Sequence, residues 1–134
     1  MEPAALVPHR PPMLLIGTVL EAGPERCATR TRVDPAAWYA DPDGAMPGWF
    51  GLELMAQTAA AHAGGRRRGG PPGFGYLLGT RRYTCQAPAF PAGAVLEVEA
   101  RAVDPDGSGL AAYDCELRQD GAVLARAILK VFEP

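Results

Sequence analysis

Alternation of apolar and polar residues predicts that most of this chain forms β-strands. Thr29, Thr31 and Val33 fall on one face of a predicted strand, whereas Arg30 and Arg32 fall on the other. The predicted strands are residues 13–22, 26–33, 74–86, 94–103, 110–118 and 123–132. Turn sequences separate them at Gly23-Pro24, at residues 104–107 and at Asp120-Gly121. We therefore expect a hairpin near the start of the chain and a three-stranded meander at its end.

One stretch has helical spacing. Apolar residues recur at helical intervals from Trp49 to Gly64, and the Gly64-Gly65 pair is a stop signal. Alanine occupies positions where surface helices usually carry Lys or Glu, so we expect this helix to be buried. The preceding residues, 34–48, contain three prolines and two glycines without a period. This composition predicts a long loop with a functional role.

One buried helix followed by a long antiparallel sheet predicts an α+β protein. The sheet has to wrap around the helix in order to bury it, and the architecture that does so is the hotdog fold. A length of 134 residues predicts a single domain spanning residues 1–134. Because the edges of such a sheet are usually hidden by pairing, we expect a dimer at least.

Composition and charge exclude several classes of protein. With 48% hydrophobic and 21% charged residues, the chain has the balance of a folded soluble protein rather than a disordered one. Its formal net charge of -2 argues against a nucleic-acid partner. The amino terminus has neither a basic stretch nor a long apolar run, so we expect a cytoplasmic protein without a membrane span.

The cysteines do not form a recognisable framework. Cys27, Cys85 and Cys115 are odd in number and widely spaced, and no CxxC pair is present. This pattern predicts neither disulfides nor a zinc site, and we expect all three thiols to be small buried apolar groups. We expect no metal and no cofactor.

Three segments resemble an enzyme family. Residues 46–57 read MPGWFGLELMAQ, which resembles the PG-x4-E-x-MAQ signature of the type II dehydratases that act on 3-hydroxyacyl chains bound to acyl carrier protein. Residues 6–16, LVPHRPPMLLI, are similar to the PHR-x-P segment of that family. Together with these, residues 73–83, GFGYLLGTRRY, resemble the dehydratase-like proteins of aryl polyene pigment clusters. The resemblance implies a hotdog fold and a dehydratase of fatty-acid or aryl polyene synthesis.

The dehydration that the resemblance implies needs a base, an acid and donors for the thioester oxygen. Glu53 matches the helix carboxylate of the family, and its place between two leucines on an alanine-rich helix predicts burial and a raised pKa. Gln57, one turn later, is a substrate-site residue that orients Glu53 or bonds to backbone. The backbone N–H groups of Gly48 and Trp49, at the helix start, are candidates to bind the thioester oxygen.

The histidine of the fatty-acid dehydratases is missing from residues 34–48, and Tyr39 occupies the matching place. A phenol can donate a proton or a hydrogen bond, but its usual pKa of about 10 makes it a poor base near neutrality. The chain has two histidines. His62 lies about 13 Å along the helix from Glu53, which favours a structural role. His9 lies in a segment without regular structure, so it is a candidate for direct chemistry beside Glu53.

Arginines supply nearly all of the positive charge. A basic rim would suit an acidic acyl carrier protein and its phosphopantetheine phosphate, although a solvated loop and an exposed strand edge would look the same. The candidate docking residues are Arg66, Arg67, Arg68, Arg81 and Arg82. We expect four aromatic residues, Trp38, Trp49, Phe74 and Tyr76, to lie in the core or at a subunit interface.

Three functions fit these residues. The first is a dehydratase that removes water from a carrier-bound 3-hydroxyacyl thioester, with Glu53 as acid or base and with His9 or Tyr39 assisting. The second is a non-catalytic dehydratase-like subunit whose hotdog partner, in a heterodimer, supplies the missing histidine. The third is a hotdog acyl-thioesterase, in which a helix carboxylate activates water without a histidine.

Overall fold

A six-stranded antiparallel sheet wraps around a single helix in the part of the chain that this structure describes. The structure is a computed structural model, and it describes residues 2–7, 9–66, 76–103 and 110–132. The strands are β1 (Thr18–Ala22), β2 (Arg26–Arg32), β3 (Met46–Pro47), β4 (Tyr76–Cys85), β5 (Ala89–Phe90), β6 (Val95–Val103), β7 (Leu110–Gln119) and β8 (Ala122–Phe132). The helix α1 is Phe50–Arg66, and a short 3-10 helix, Pro3–Ala5, precedes β1.

The main sheet has the order β1-β2-β6-β7-β8-β4, and the two-residue strands β3 and β5 pair separately. The predicted first hairpin is confirmed as β1 and β2, and the predicted meander as β6, β7 and β8. Between β7 and β8 the predicted turn has positive φ angles of 51° at Asp120 and 79° at Gly121. Two successive positive angles are what a two-residue hairpin turn of the primed type needs.

The two faces of the sheet differ as the alternation predicts. On β6, the side chains of Leu96, Val98 and Ala100 are buried beneath α1. The opposite face carries ion pairs between neighbouring strands, such as Arg30 with Glu97 at 3.0 Å. Every residue of α1 from 50 to 64 is buried or half-buried as a whole, and Leu54, Met55, Ala59 and Ala61 are fully buried, which confirms the expected burial of the helix.

The first strand is shorter than predicted. The sequence predicts extended structure from residue 13, but β1 begins at Thr18. The reason is that the N–H groups of Leu15 and Ile16 are donated to the side chain of Gln57, at 2.8 and 3.3 Å, and not to a neighbouring strand. Residues 9–16, here named the N-terminal strap, therefore lie across the helix. The pair β3 and β5 was not predicted because two residues are too few to show a period.

Buried polar residues have structural partners. His62 is buried, with Nδ1 2.8 Å from the Tyr113 hydroxyl and Nε2 3.0 Å from the Pro24 carbonyl. A carbonyl can only accept, so Nε2 is the protonated nitrogen. The structural role predicted for His62 is confirmed.

The cysteines are free thiols. Cys27 and Cys115 are fully buried, as predicted, whereas Cys85 is half-buried and its Sγ lies 3.1 Å from the Ala87 carbonyl oxygen. Among the described residues, no group of three His, Cys, Asp or Glu side chains could hold a metal ion. No helix in the same ranges is long and apolar enough to cross a membrane.

Candidate active site

Glu53 lies in the first turn of α1, at the end of the helix that points toward the loop of residues 34–48. An acidic side chain is favoured there by the helix dipole. The Glu53 side chain is 38% exposed in the single chain, so the prediction that it is buried is wrong. Because Glu53 is in the first turn, its partly exposed carboxylate lies near the start of the helix, where it can contact a ligand.

His9 is the group that the strap brings to this carboxylate. His9 Nε2 lies 3.8 Å from Glu53 Oε1, and the His9 side chain is 30% exposed. His9 Nδ1 is buried and has no hydrogen-bond partner among the described residues. The Arg10 guanidinium donates to the carbonyls of Val7 and His9, at 2.8 and 2.7 Å, which fixes the backbone on both sides of Pro8. His9 and Glu53 thus form a pair within one chain.

Gln57 is fully buried directly behind this pair. Its Nε2 donates to Glu53 Oε1 at 3.0 Å and to the Met13 carbonyl at 2.7 Å. Its Oε1 accepts the N–H groups of Leu15 and Ile16. An amide has two donor hydrogens and two acceptor positions, and all four are occupied. Gln57 therefore both orients Glu53 and bonds to backbone, but its amide has no free position with which to bind substrate.

The helix start offers fewer backbone donors than the sequence predicts. The Gly48 N–H is donated to the Pro88 carbonyl at 2.9 Å, so it is not free to bind a thioester oxygen. The Trp49 N–H has no acceptor among the described residues. A Cβ on Gly48 would lie 2.5 Å from the Ala87 carbonyl oxygen, which explains why a glycine is needed there. Of the two predicted donors, Trp49 remains available.

Tyr83, which the sequence analysis did not single out, fixes the same end of the helix. Its hydroxyl donates to the Gly48 carbonyl at 2.6 Å and packs against Gly51, where a side chain would collide with it. Burial raises the pKa of this phenol, so it stays protonated and acts as a donor. Tyr83 is the last residue of the segment 73–83, and it lies in the irregularity of β4 between Arg81 and Thr84. Nothing in that segment indicates that its hydroxyl reaches the helix start.

Tyr39 lies in the loop before α1, and its ring packs against Phe50 with a centroid distance of 5.8 Å. Its hydroxyl accepts the Asp34 N–H at 2.9 Å. It makes no hydrogen bond with Glu53 or His9 in the described residues. The structure therefore places Tyr39 beside the helix start without joining it to the acidic group.

Two tryptophans border the site on its outer side. Trp49 is 70% exposed, and Trp38 is also exposed while its Nε1 donates to the Pro12 carbonyl of the strap at 2.8 Å. Both pack against Phe50, with centroid distances of 6.0 and 5.5 Å. Neither tryptophan is a core residue of this chain, so of the two expected places only a subunit interface is left open. Phe74 and the side chain of Tyr76 lie outside the described residues.

The candidate docking arginines are described only in part. Arg82 is exposed and has a positive φ of 53° within an irregularity of β4. Arg67 and Arg68 lie outside the described residues, as do the side chains of Arg66 and Arg81. Of the candidate docking residues, the structure therefore describes the side chain of Arg82, on the edge strand β4, and the basic rim stays a prediction.

Comparison with known families gives one match over the whole chain. The family model described as ApeP-like, ApeP dehydratase, matches residues 1–134. A search among curated protein sequences finds no match.

Solved structures with the same fold include one from a dehydratase assembly. A chain of the dehydratase heterocomplex ApeI:P from Xenorhabdus doucetiae is 28% identical, with a TM-score of 0.92, over 100% of this chain and 91% of that chain. Cj0977, a sigma28-regulated virulence protein of Campylobacter jejuni, is 18% identical, with a TM-score of 0.75, over 98% of this chain and 87% of that chain. These matches confirm the predicted hotdog fold.

A protein described as a hypothetical thioesterase is also among the similar structures. A hypothetical thioesterase of Streptococcus pneumoniae, solved with coenzyme A, is 15% identical, with a TM-score of 0.66, over 86% of each chain. A likeness at that identity shows the fold alone. The thioesterase hypothesis therefore has weaker support than the dehydratase hypothesis.

Proposed function

The chain belongs to the ApeP-like family of dehydratases, and from that premise we propose that it removes water from a 3-hydroxyacyl thioester held on an acyl carrier protein. The observation that carries the proposal is the distance of 3.8 Å between His9 Nε2 and Glu53 Oε1. Both side chains are partly exposed, so a substrate can reach them. An acid and a base beside one another are what the two halves of a dehydration need.

The reaction can be written with these two groups. His9 Nε2 removes the proton from the carbon next to the thioester carbonyl, and the electron pair of that C–H bond forms the new double bond. The bond between the β-carbon and its hydroxyl breaks, and Glu53 delivers the proton with which the hydroxyl leaves as water. His9 then carries one extra proton and Glu53 lacks one. Because the two groups are adjacent, transfer of that proton from His9 to Glu53 restores the starting state.

The thioester oxygen gains negative charge during this reaction, and a donor has to face it. We assign this role to the N–H of Trp49, which is at the positive end of the helix dipole. Tyr39 is the second candidate donor, because its hydroxyl accepts the Asp34 N–H and retains a proton of its own. The proposed contact with the carrier protein consists of Arg66, Arg67, Arg68, Arg81 and Arg82.

We also propose that the working form is an assembly with a second hotdog subunit. The similar chain from Xenorhabdus doucetiae comes from a heterocomplex of dehydratases. Met13 of the strap and the two tryptophans that pack on Phe50, Trp38 and Trp49, are exposed, and exposed large apolar side chains of this kind suit a protein interface. Three free thiols fit a reducing compartment, in keeping with a cytoplasmic assembly.

The test is to incubate the protein with a 3-hydroxyacyl chain on its carrier protein and to resolve the products by mass. The protein is measured alone and together with a hotdog partner subunit. A product lighter by one water, lost in Glu53→Gln and in His9→Gln but kept in Glu97→Gln, supports the proposal. Glu97 is a suitable control because its carboxylate pairs with Arg30 on the opposite face of the sheet.

The second candidate function is a non-catalytic subunit of the same assembly. It is favoured by the absence of a histidine from residues 34–48 and by the match to a heterocomplex. It predicts no product from the protein alone, and full activity of the assembly when this chain carries Glu53→Gln. Release of a free acid and a free thiol in place of the enoyl product would instead support the thioesterase hypothesis.

A further inference from the structure

Gln57 connects the two halves of the acid and base pair. One side of its amide holds the strap that carries His9, through the N–H groups of Leu15 and Ile16. The other side donates to Glu53 Oε1 at 3.0 Å. The nitrogen of the same amide also donates to the Met13 carbonyl at 2.7 Å. A single side chain therefore fixes where His9 and Glu53 lie relative to each other.

The orientation of this amide is determined by its surroundings. Two backbone N–H groups face one end, so that end has to be the oxygen, and the Met13 carbonyl faces the other, so that end has to be the nitrogen. A flipped amide would place its NH2 group against two donors and its oxygen against a carbonyl. The second Nε2 hydrogen is thus directed at Glu53 Oε1, which must act as an acceptor.

The hydrogen bond from Gln57 also determines which oxygen of the Glu53 carboxyl group carries the proton. Oε1 of Glu53 accepts from Gln57, and in a neutral carboxyl group the carbonyl oxygen is a better acceptor than the hydroxyl oxygen. The acid form therefore carries its proton on the other oxygen, Oε2. We propose that Gln57 is a positioning residue, which holds the strap in place and assigns the proton-carrying role of Glu53 to Oε2. This inference rests on the proposed function, and it states which oxygen delivers the proton to the leaving hydroxyl.

Two substitutions separate the contributions of Gln57. Gln57→Leu removes every hydrogen bond and leaves the N–H groups of Leu15 and Ile16 without their acceptor. Gln57→Glu keeps an acceptor for these groups but removes both Nε2 donors, the one to Glu53 Oε1 and the one to the Met13 carbonyl. A matched control is Thr58→Val, since Thr58 is also fully buried in α1 but bonds to Thr29 and to the Leu54 carbonyl. Among the described residues, it makes no hydrogen bond with the strap or with Glu53.

The strap is tested by amide hydrogen exchange. In Gln57→Leu, we expect exchange at Leu15 and Ile16 to become about tenfold faster or more, the change that loss of one buried hydrogen bond produces. In Gln57→Glu, it should stay within about threefold of the wild-type rate. Thr58→Val should lower the melting temperature without altering exchange at these two amides. Unchanged exchange in Gln57→Leu would overturn the strap part of the proposal.

The assignment of the oxygen is tested by kinetics and by NMR. In the active assembly, Gln57→Glu should lower kcat by about tenfold or more with little change in KM, because substrate does not contact the amide. In Glu53→Leu, one of the two Gln57 Nε2 hydrogens should exchange faster while the other keeps its partner, Met13. Equal behaviour of both hydrogens, or a loss of kcat in Thr58→Val as large as in Gln57→Glu, would overturn it.

These experiments distinguish failure of the proposed dehydratase function from failure of the positioning role of Gln57. If the wild-type protein forms no enoyl product in any assembly, the assignment of a catalytic oxygen is wrong together with the proposed function. The exchange rates at Leu15 and Ile16 and the two Nε2 hydrogens of Gln57 require no activity. They therefore decide whether Gln57 positions the strap and Glu53 even in that case.

Discussion

His9 Nε2 and Glu53 Oε1 lie 3.8 Å apart although the two residues come from the strap and from the first turn of α1. If they exchange a proton in each turnover, loss of either one should disable the same step. We expect His9→Gln and Glu53→Gln each to lower kcat/KM by about a hundredfold or more. The double variant should lose less than about threefold beyond the worse single variant.

The measurement is a double-mutant cycle of kcat/KM in the active assembly. Losses that multiply would show that His9 and Glu53 act independently. The cycle is informative only if the variants fold, so circular dichroism and melting temperatures accompany it. Both side chains are partly exposed, and we expect the melting temperatures to change by little.

A second prediction concerns the helix start. Gly48→Ala should destabilise the protein by about 2 kcal/mol or more, because its Cβ would lie 2.5 Å from the Ala87 carbonyl oxygen and 3.1 Å from that of Pro88. The matched control is Gly23→Ala, whose Cβ would meet its nearest atom, the Arg26 carbonyl oxygen, at an ordinary 3.7 Å. We expect that variant to stay within about 0.5 kcal/mol of the wild type.

Urea unfolding of the two alanine variants provides the comparison. Equal stability of the two would mean that the backbone of residues 87 and 88 moves away at little cost. In that case the close approach at Gly48 would not be what holds the helix start against β5.

The alternation of apolar and polar residues was sufficient to predict the sheet, because on a strand such as β6 it shows which face is buried. It was equally sufficient for α1, whose alanines indicate a helix enclosed on every side. The second half of the strap, Met13 to Ile16, was predicted as the start of a strand, because these apolar residues look the same whether their N–H groups bond to a strand or to a side chain. That distinction depends on Gln57, which is remote in sequence.

The candidate site was predictable only in its parts. The motif around Glu53 and the small number of histidines were enough to name both members of the pair. Their distance, the exposure of Glu53 and the engagement of the Gly48 N–H all depend on tertiary contacts. The role of Tyr83 could not be found from the sequence, because its place at the end of the segment 73–83 carries no sign that its hydroxyl reaches the helix start.

A third prediction compares the hydroxyls of the half-buried Tyr83 and the buried Tyr113. Tyr83→Phe removes the donor to the Gly48 carbonyl, and Tyr113→Phe removes the hydroxyl that bonds to His62. Each should cost about 1 to 2 kcal/mol of unfolding free energy. Activity should fall in Tyr83→Phe alone, because that hydroxyl holds the end of the helix that carries Trp49 and Glu53. Loss of kcat in Tyr113→Phe would contradict this division.

The last prediction concerns stability at high pH. Cys27 and Cys115 lie on either side of Ala100 in the sheet, and both are fully buried. Burial raises the pKa of each thiol from 9.0 to about 12, and the nearby carboxylates of Glu21 and Asp114 add to the effect. The folded state therefore binds these protons more tightly than the unfolded state. Their contribution to stability is complete below pH 9 and is lost as the pH rises toward 12.

In that window the free energy of unfolding should fall by about 1.4 kcal/mol per pH unit for each thiol. The double variant Cys27→Ala, Cys115→Ala should have a lower stability at neutral pH, because two cavities form, but a shallower fall between pH 9 and 12. Cys85→Ala is the control, since that half-buried thiol lies outside this pair. An equally steep fall in the double variant would assign the alkaline transition to other groups, of which the half-buried phenol of Tyr83 is the first to examine.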